Sequence, residues 1–591
     1  MRCAAPAVRA FALGLLVGPA AAQEDTVYVT GSRLPVSAPA LGQEARIVER
    51  DVMRAAPSLP DALRGLSELH ADPPRGFASL YLRGADPNHT AVFLDGVKVN
   101  DPTNPRGGGF DLGMIDVQAL DRLEVLAGAS SAIYGADAMA GVLGLVSAPP
   151  RGSGLRVGAG IGGLGYRSAN ASYDAQKARI SASTLEDGEG EAGERRIRML
   201  SLRAPQLALH AWRHESAAFP EDSGGPRHAV LRELERRDTT SFAGSAQAQM
   251  SAGAATVRAR LGLFDQESDS ASPGVAAGIR DPAGLPPVLS TSRFNRWSAS
   301  ATAELGQGLA GVEWQREDGS LESSLSFGGV AVPANFSLER ETRSIFMEAR
   351  RAFLQAGLRL DDVEGYARRA SALLGLTHTL ANGAALALRA GSGFKPPSFF
   401  ALGHPLVGNP ALQPERSTST EASIATPEQA SIRHRVTAFR SDYSNLIDFD
   451  AGPPPRLVNR SEVRIEGLHY LAQSRYASLG ASRFRYELPE GAGPLRSRPR
   501  SKVTGSVNAP LSEEFSFLAS GARVGRVFDS SIPTGGQVLD PYFVVDLALR
   551  YRARRREALL ALDNVFDRDY EQFIGFPAPG RRLRLAVSFA L

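Results

Sequence analysis

Two patterns of apolar and polar positions divide the chain. From Gln23 to about Pro150 the pattern changes every few residues. Ser58-Leu59-Pro60-Asp61 predicts a helix start, with Ser58 as N-cap and Asp61 in the first turn. Leu59, Leu63, Leu66 and Leu69 then fall on one helical face. Val92-Phe93-Leu94 and Val97-Lys98-Val99 flank Asp95-Gly96, a pair that tolerates positive φ, so a tight hairpin is expected there. Leu123 to Leu126 and Val142 to Val146 read as strands, and Ser131 to Met139 as a helix ended by Ala140-Gly141. The sum is a small mixed α/β domain, closed off by Pro149-Pro150-Arg151-Gly152.

Beyond that boundary no segment has a persuasive helical period. Stretches of about ten residues alternate apolar and polar, the weak signature of a membrane-spanning β-barrel. In the last of them Leu583, Leu585, Val587, Phe589 and Leu591 point one way, and Arg582, Arg584, Ala586, Ser588 and Ala590 the other. One face suits lipid and the other a wet lumen. Leu374, Leu376, His378 and Leu380 precede an Asn382-Gly383 turn, followed by Leu386 and Leu388. A soluble sandwich shows the same alternation, so the pattern gains weight only from what surrounds it. Polar stretches at 186–195, 219–240, 265–290 and 400–417 are expected to be outer loops.

The first 22 residues read as a signal peptide for the Sec pathway. Arg2 and Arg9 give a positive start, Phe11 to Val17 an apolar stretch too short to span a membrane, and Ala20 and Ala22 an A-x-A site before Gln23. The only cysteine, Cys3, lies inside it, so the exported chain is expected to have neither disulfide nor thiol chemistry. Removing Arg2 and Arg9 leaves 64 basic against 63 acidic residues, which carries no nucleic-acid signal. A hydrophobic content of 43% and a mean hydropathy of -0.15 exclude both a polytopic helical membrane protein and a mostly disordered chain.

Several strings imitate catalytic motifs. Gly158-Ala159-Gly160-Ile161-Gly162-Gly163 matches G-x-G-x-x-G, but an alternating segment follows where a dinucleotide site needs a helix. Asp222-Ser223-Gly224-Gly225-Pro226 resembles a protease nucleophile loop without the accompanying base. His214-Glu215 has Ala218 where a zinc protease needs its second histidine. An enzyme is therefore not expected, and no cofactor is required. Asp265, Glu267 and Asp269 cluster three carboxylates in an expected outer loop, a candidate site for a structural Ca²⁺, although they follow no calcium-loop pattern.

Asp25-Thr26-Val27-Tyr28-Val29-Thr30 is short, β-prone and isolated, suited to add as a strand to a partner's sheet edge. It resembles the TonB box of TonB-dependent outer-membrane receptors. Leu82-Arg83-Gly84, Phe93 to Val97 and Ser131 to Ala138 resemble plug motifs of that family. Gly393-Phe394-Lys395-Pro396-Pro397 and Gly408 to Glu415 resemble a mid-barrel pair, and Asp563 to Tyr570 with Pro579-Gly580-Arg581 the closing hairpin. The order of these motifs along the chain is the family's order.

The resemblance implies a mainly β fold: a 22-stranded antiparallel transmembrane β-barrel with a small N-terminal α/β plug domain in its lumen. The implied divisions are 1–22 signal peptide, 23–35 TonB box and linker, 36–150 plug and 151–591 barrel. The 441 residues of the last allow about 20 per strand and connection. It further implies a cell outer membrane of a Gram-negative bacterium, surrounding lipid, and TonB of the inner-membrane energy-transducing complex as partner. Arg83 is expected to pair with a barrel carboxylate. Arg75, Phe77, Asn100, Asn104, Arg106 and Phe110, on plug stretches 72–77 and 100–110, are candidates to touch substrate. Box, length and mid-barrel string are most similar to cobalamin receptors, which suggests a corrinoid. A ferric-siderophore receptor is the alternative, and a passive porin or surface binding protein the rival of another class. Two positions depart from the family: Ala127 where an arginine is usual, with Arg122 nearby, and Leu591 where an aromatic residue is usual, with Phe589 close by.

Overall fold

The computed structural model describes residues 45–188, 193–427, 429–450, 452 and 454–591. From Gly154 onward the alternating segments become strands. Twenty-two of them pair antiparallel in chain order, and Arg582–Ala590 pairs with Gly154–Gly162 to close a barrel, Leu585 opposite Ile161. A short extra strand, Val330–Pro333, pairs only with the outer end of Gly308–Phe327.

The period of two sorts the side chains. Leu583, Leu585 and Phe589 face outward and are exposed, whereas Arg582 and Arg584 are buried in the lumen. There both guanidinium groups bind Asp563, and Arg582 also reaches Asp187 at 2.7 Å. Leu374, Leu376, Leu386 and Leu388 likewise face outward from Arg369–Thr379 and Ala385–Lys395, joined through Gly383 at φ +81°. Closure leaves no free sheet edge in the lipid.

One end of the barrel has tight connections, such as 205–206, 253–254 and 306–307. The other carries long ones, 219–234, 273–287, 396–414, 525–541 and 564–581, and is the extracellular side. The expected polar stretches 219–240 and 265–290 overlap these loops but also take in strand ends. Residues 235–240 and 265–272 are strand, because Glu235–Ala252 and Ala255–Ser272 run 18 residues and carry polar outward positions above the lipid band. Short helices, Gly225–His228 and Phe399–Gly403, sit within the loops.

The plug is a five-stranded sheet in the order Ala45–Glu49, Leu120–Ala127, Gly141–Ser147, Thr90–Leu94, Val97–Lys98. Asp95 and Gly96, at φ +46° and +83°, make the hairpin turn. Ser58 caps the helix Leu59–Leu63 by accepting from the Asp61 amide at 3.2 Å. That helix is shorter than its leucine spacing suggests: Leu69 opens a strand, Leu69–Ala71. The helix from Ser131 ends at Tyr134, because Gly135 turns at φ +83°. Leu94, Leu112, Leu123 and Leu143 form the plug core, joined by lumen aromatics Trp212, Phe264, Phe294 and Phe399 from the barrel.

Candidate functional site

Charged side chains tie plug to barrel. Arg83 Nη1 lies 2.5 Å from Glu421 Oε2, both side chains buried, with the guanidinium 4.5 Å above the Phe439 ring. The turn that aims Arg83 uses positive φ at Arg83 and Gly84, and Tyr486 packs where a Gly84 side chain would stand. Lys395, from the mid-barrel Phe-Lys-Pro-Pro string, reaches Asp137 of the plug at 2.6 Å, and Lys98 meets the same carboxylate. Burial pushes the Asp137 carboxyl up, but Lys395 and Lys98 outweigh it and hold the group ionised, well below the usual range. Asp95 is held low in the same way: burial opposes, and His210 at 2.8 Å and Arg203 at 2.8 Å prevail. Lys502 donates to the Leu66 and Leu69 carbonyls, each at 2.8 Å. Of these ties sequence reasoning singled out Arg83 alone. The motif around Lys395 was visible, but its partner lies 258 positions away.

Above the seam the plug apex meets the outer loops. Arg106 forms an ion pair with Glu221 and stands 5.8 Å from the Phe77 ring centre. Arg496 spans Glu221, Asp222 at 2.9 Å and Asp529 at 2.9 Å, and Arg280 binds Asp222 at 3.0 Å. Phe219, Phe573 and Phe576 pack beside this network. The mouth is therefore closed over the apex by loops that meet it through ion pairs. Asp72 lies beneath, accepting from Tyr81 at 3.4 Å, and burial pushes its carboxyl up to about 7 against the pull of Arg106.

The six substrate candidates separate. Arg106 and Phe77 are partly exposed at the mouth. Asn100 is buried and builds its loop, donating to the Thr90 and Gly108 carbonyls and accepting from the Val92 amide. Asn104 does the same through Asp101 and Gly109. Phe110 belongs to the plug core, and Arg75 is buried. Small polar residues on a Gly-rich stretch looked like ligand contacts, but here they satisfy backbone groups that a tight loop leaves over.

Asp265, Glu267 and Asp269 do not lie in a loop and do not converge. They sit two apart on the outer face of Ala255–Ser272, and each is taken by a different donor on the neighbouring strand: Asn295 at 3.1 Å, Arg293 at 3.1 Å and Thr291 at 2.6 Å. Among the described residues no group of His, Cys, Asp and Glu is placed to hold a metal ion. Arg122 stays within the plug, paired with Glu124 at 2.5 Å, so it does not replace the arginine missing at Ala127. Beside Glu421 it is a barrel residue, Arg389, that is buried directly across the strand pair. Leu591 is exposed, its amide donating to the Leu155 carbonyl at 2.7 Å. Asp25, Thr26, Val27, Tyr28, Val29 and Thr30 lie outside the described residues.

A closed barrel whose lumen holds a separately folded, ion-paired plug under interlocked loops defines a class, the gated transporters of the outer membrane. The family described as TonB dependent receptor-like, beta-barrel matches residues 209–565, and the TonB-dependent Receptor Plug Domain matches 41–142. The chain belongs to the TonB-dependent receptors, which are transporters and not enzymes, of the Gram-negative outer membrane. It is 25% identical to the vitamin B12 transporter BtuB of Vibrio vulnificus (strain YJ016) over 586 residues, covering 93% of this chain and 91% of the relative. To that of Photobacterium profundum it is 24% identical, covering 83% and 82%. Its fold resembles the pyoverdine-bound receptor FpvA of Pseudomonas aeruginosa (TM-score 0.77, 15% identity, 95% of this chain and 88% of that one). It also resembles the siderophore receptor PirA of Acinetobacter baumannii (TM-score 0.74, 13% identity, 93% and 98%).

Proposed function

We propose that this transporter imports a corrinoid, with TonB drawing on the box strand Asp25 to Thr30 from below. The observation that carries the substrate reading is the charge balance of the mouth. Arg106, Arg280 and Arg496 are matched by Glu221, Asp222 and Asp529, so these three arginines of the described residues do not stand as an unmatched cationic cluster for an anionic ferric chelate. A large, amide-rich, neutral ligand suits such a surface, where backbone and mixed polar groups offer hydrogen bonds. Similarity to vitamin B12 transporters along nearly the whole chain supports the same reading. In this reading Arg106 and Phe77, partly exposed at the mouth, touch the ligand once the loops part.

Ligand binding must favour the parted loops, and that preference must be coupled to release of the box below; the difference in affinity between the two states is the whole signal. Pairing of the box with a sheet edge of TonB supplies backbone hydrogen bonds through which pulling force is transmitted. The test is uptake of labelled cobalamin by cells whose only candidate receptor is this chain. Uptake is expected. No uptake, together with growth restored on a ferric chelate, transfers the assignment to a siderophore.

A further inference from the structure

The seam between plug and barrel buries a cation that the ties described above do not use. Arg389, on Ala385–Lys395, is buried on the lumen face, while Leu388 beside it faces outward. Neither of its two terminal nitrogens makes a hydrogen bond among the described residues. A buried charge left in this way is costly, so its presence calls for a cause. Directly opposite it in the strand register stands Glu421. Glu421 accepts from Arg83 of the plug through Oε2, whereas its Oε1 is buried and makes no hydrogen bond among the described residues. Unmatched donors and an unmatched acceptor thus sit on backbones about 5 Å apart, and a change of Arg389 rotamer is enough to join them.

The surroundings leave Arg389 this one partner in register. Across its other strand pair it faces Gly375. Glu348 stands three strands away and already accepts from Gln355 at 2.9 Å. The plug offers Glu421 no second cation from this side. Residues 127–136 contain none, and this stretch packs on the strand of Arg389: Ala129 stands where a Gly391 side chain would be, and Ser131 where a Gly393 side chain would be. Of the two arginines nearest Glu421 in these contacts, Arg83 therefore moves with the plug and Arg389 stays with the wall.

Chain order gives the difference a consequence. A plug drawn from its N-terminal end gives up Arg83 before Asp95, Lys98 and Asp137. Once Arg83 leaves, Glu421 is a buried anion, and that cost stands in the barrier to withdrawal. We infer that Arg389 is a positioning residue for transport, which takes over Glu421 as Arg83 departs and returns it when the plug comes back. Oε1 receives Arg389 while Oε2 still holds Arg83, so the carboxylate passes from one cation to the other. The exchange offsets part of the cost of parting the pair. It deepens the reading that the plug is drawn from below, and is independent of which ligand is carried.

The experiment pulls the full chain, reconstituted in lipid bilayers, from its mature N-terminus by single-molecule force spectroscopy. Withdrawal of the plug at constant force is expected to be about tenfold slower in Arg389→Gln than in the wild type, equivalent to ~1.4 kcal/mol. Arg389→Lys, which keeps the charge, is expected to restore most of the rate, and Arg389→Met serves as a second neutral replacement. In cells, maximal uptake of labelled cobalamin is expected to fall by a similar factor with surface binding unchanged. Exclusion of large antibiotics is expected to stay as in the wild type, because the docked plug does not use Arg389. Equal withdrawal rates in the wild type and the neutral variants overturn the exchange. Slower withdrawal that Arg389→Lys fails to restore assigns the effect to packing and overturns it too. Pulling needs neither substrate nor TonB, so a failure of the corrinoid reading silences the uptake measurement and leaves the force measurement to decide.

Discussion

Arg83 and Glu421, 338 positions apart in sequence, meet at 2.5 Å in the buried seam between plug and barrel. Each is the other's counter-charge, so removing one strands the other in a site of low dielectric, at a cost of roughly 3–5 kcal/mol. Arg83→Ala is expected to loosen the plug and admit large hydrophilic antibiotics into cells. The double variant Arg83→Ala with Glu421→Ala is expected to leak at least as much as the single one, because it also takes from the buried Arg389 the carboxylate across the strand pair. Sensitivity of cells at matched expression measures both. Identical leakage in wild type and Arg83→Ala shows that Lys395–Asp137 and the other ties suffice.

A strand that only hands force to TonB serves transport and not binding. Val27→Pro removes an N–H that strand pairing needs and leaves the mouth untouched. Uptake of the labelled substrate by intact cells is expected to fall to background while surface binding persists. Parallel loss of both contradicts a strand handed to a partner below the membrane.

Asp72 gives a pH dependence with a definite sign. Burial raises its folded carboxyl from the usual 3.8 to about 7. Between those values the folded plug binds a proton that the unfolded chain does not, so this group's contribution to stability falls as pH rises from about 4 to about 7, then levels off. The apex stretch 72–77 is therefore expected to exchange its amide hydrogens more readily at pH 8 than at pH 5, after correction for intrinsic rates. Asp72→Asn, neutral at both, is expected to remove the difference. An undiminished difference in that variant places its origin elsewhere.

How much of this was legible in the chain depends on range. Leu583, Leu585 and Arg584 declare their faces by a period of two that needs no partner, and Asp95-Gly96 declares a turn by its own torsions. Helix lengths were overread because leucine spacing at 59, 63, 66 and 69 continues past the point where the backbone turns into a strand. Strand ends were underread, since Asp265, Glu267 and Asp269 are polar for standing above the lipid band, and polarity by itself looks like loop. The seam was hardest. Lys395, His210 and Lys502 bind plug groups from strands hundreds of residues away, and only closure of the barrel brings them there.

The closed mouth is held by ion pairs that salt can loosen. Arg106–Glu221, Arg496–Asp222, Arg496–Asp529 and Arg280–Asp222 hold the outer loops against the apex. The groups on Arg106, Glu221, Asp222, Arg280 and Arg496 keep about a third of their exposure, so the pairs made among them contribute only ~0–1 kcal/mol each and are screened by salt, whereas Arg496–Asp529, with Asp529 buried, is screened less. Substrate entry requires these pairs to part. Raising ionic strength is therefore expected to speed association with the wild-type receptor, opposite to the slowing seen when a charged ligand is steered by a charged surface. Glu221→Gln with Asp222→Asn is expected to bind about tenfold faster at low salt, equivalent to ~1.4 kcal/mol of loop opening, and to lose most of the salt dependence. Stopped-flow association on purified protein measures both. A wild-type rate that falls with salt contradicts an ion-paired lid and points instead to an anionic substrate drawn to the arginines.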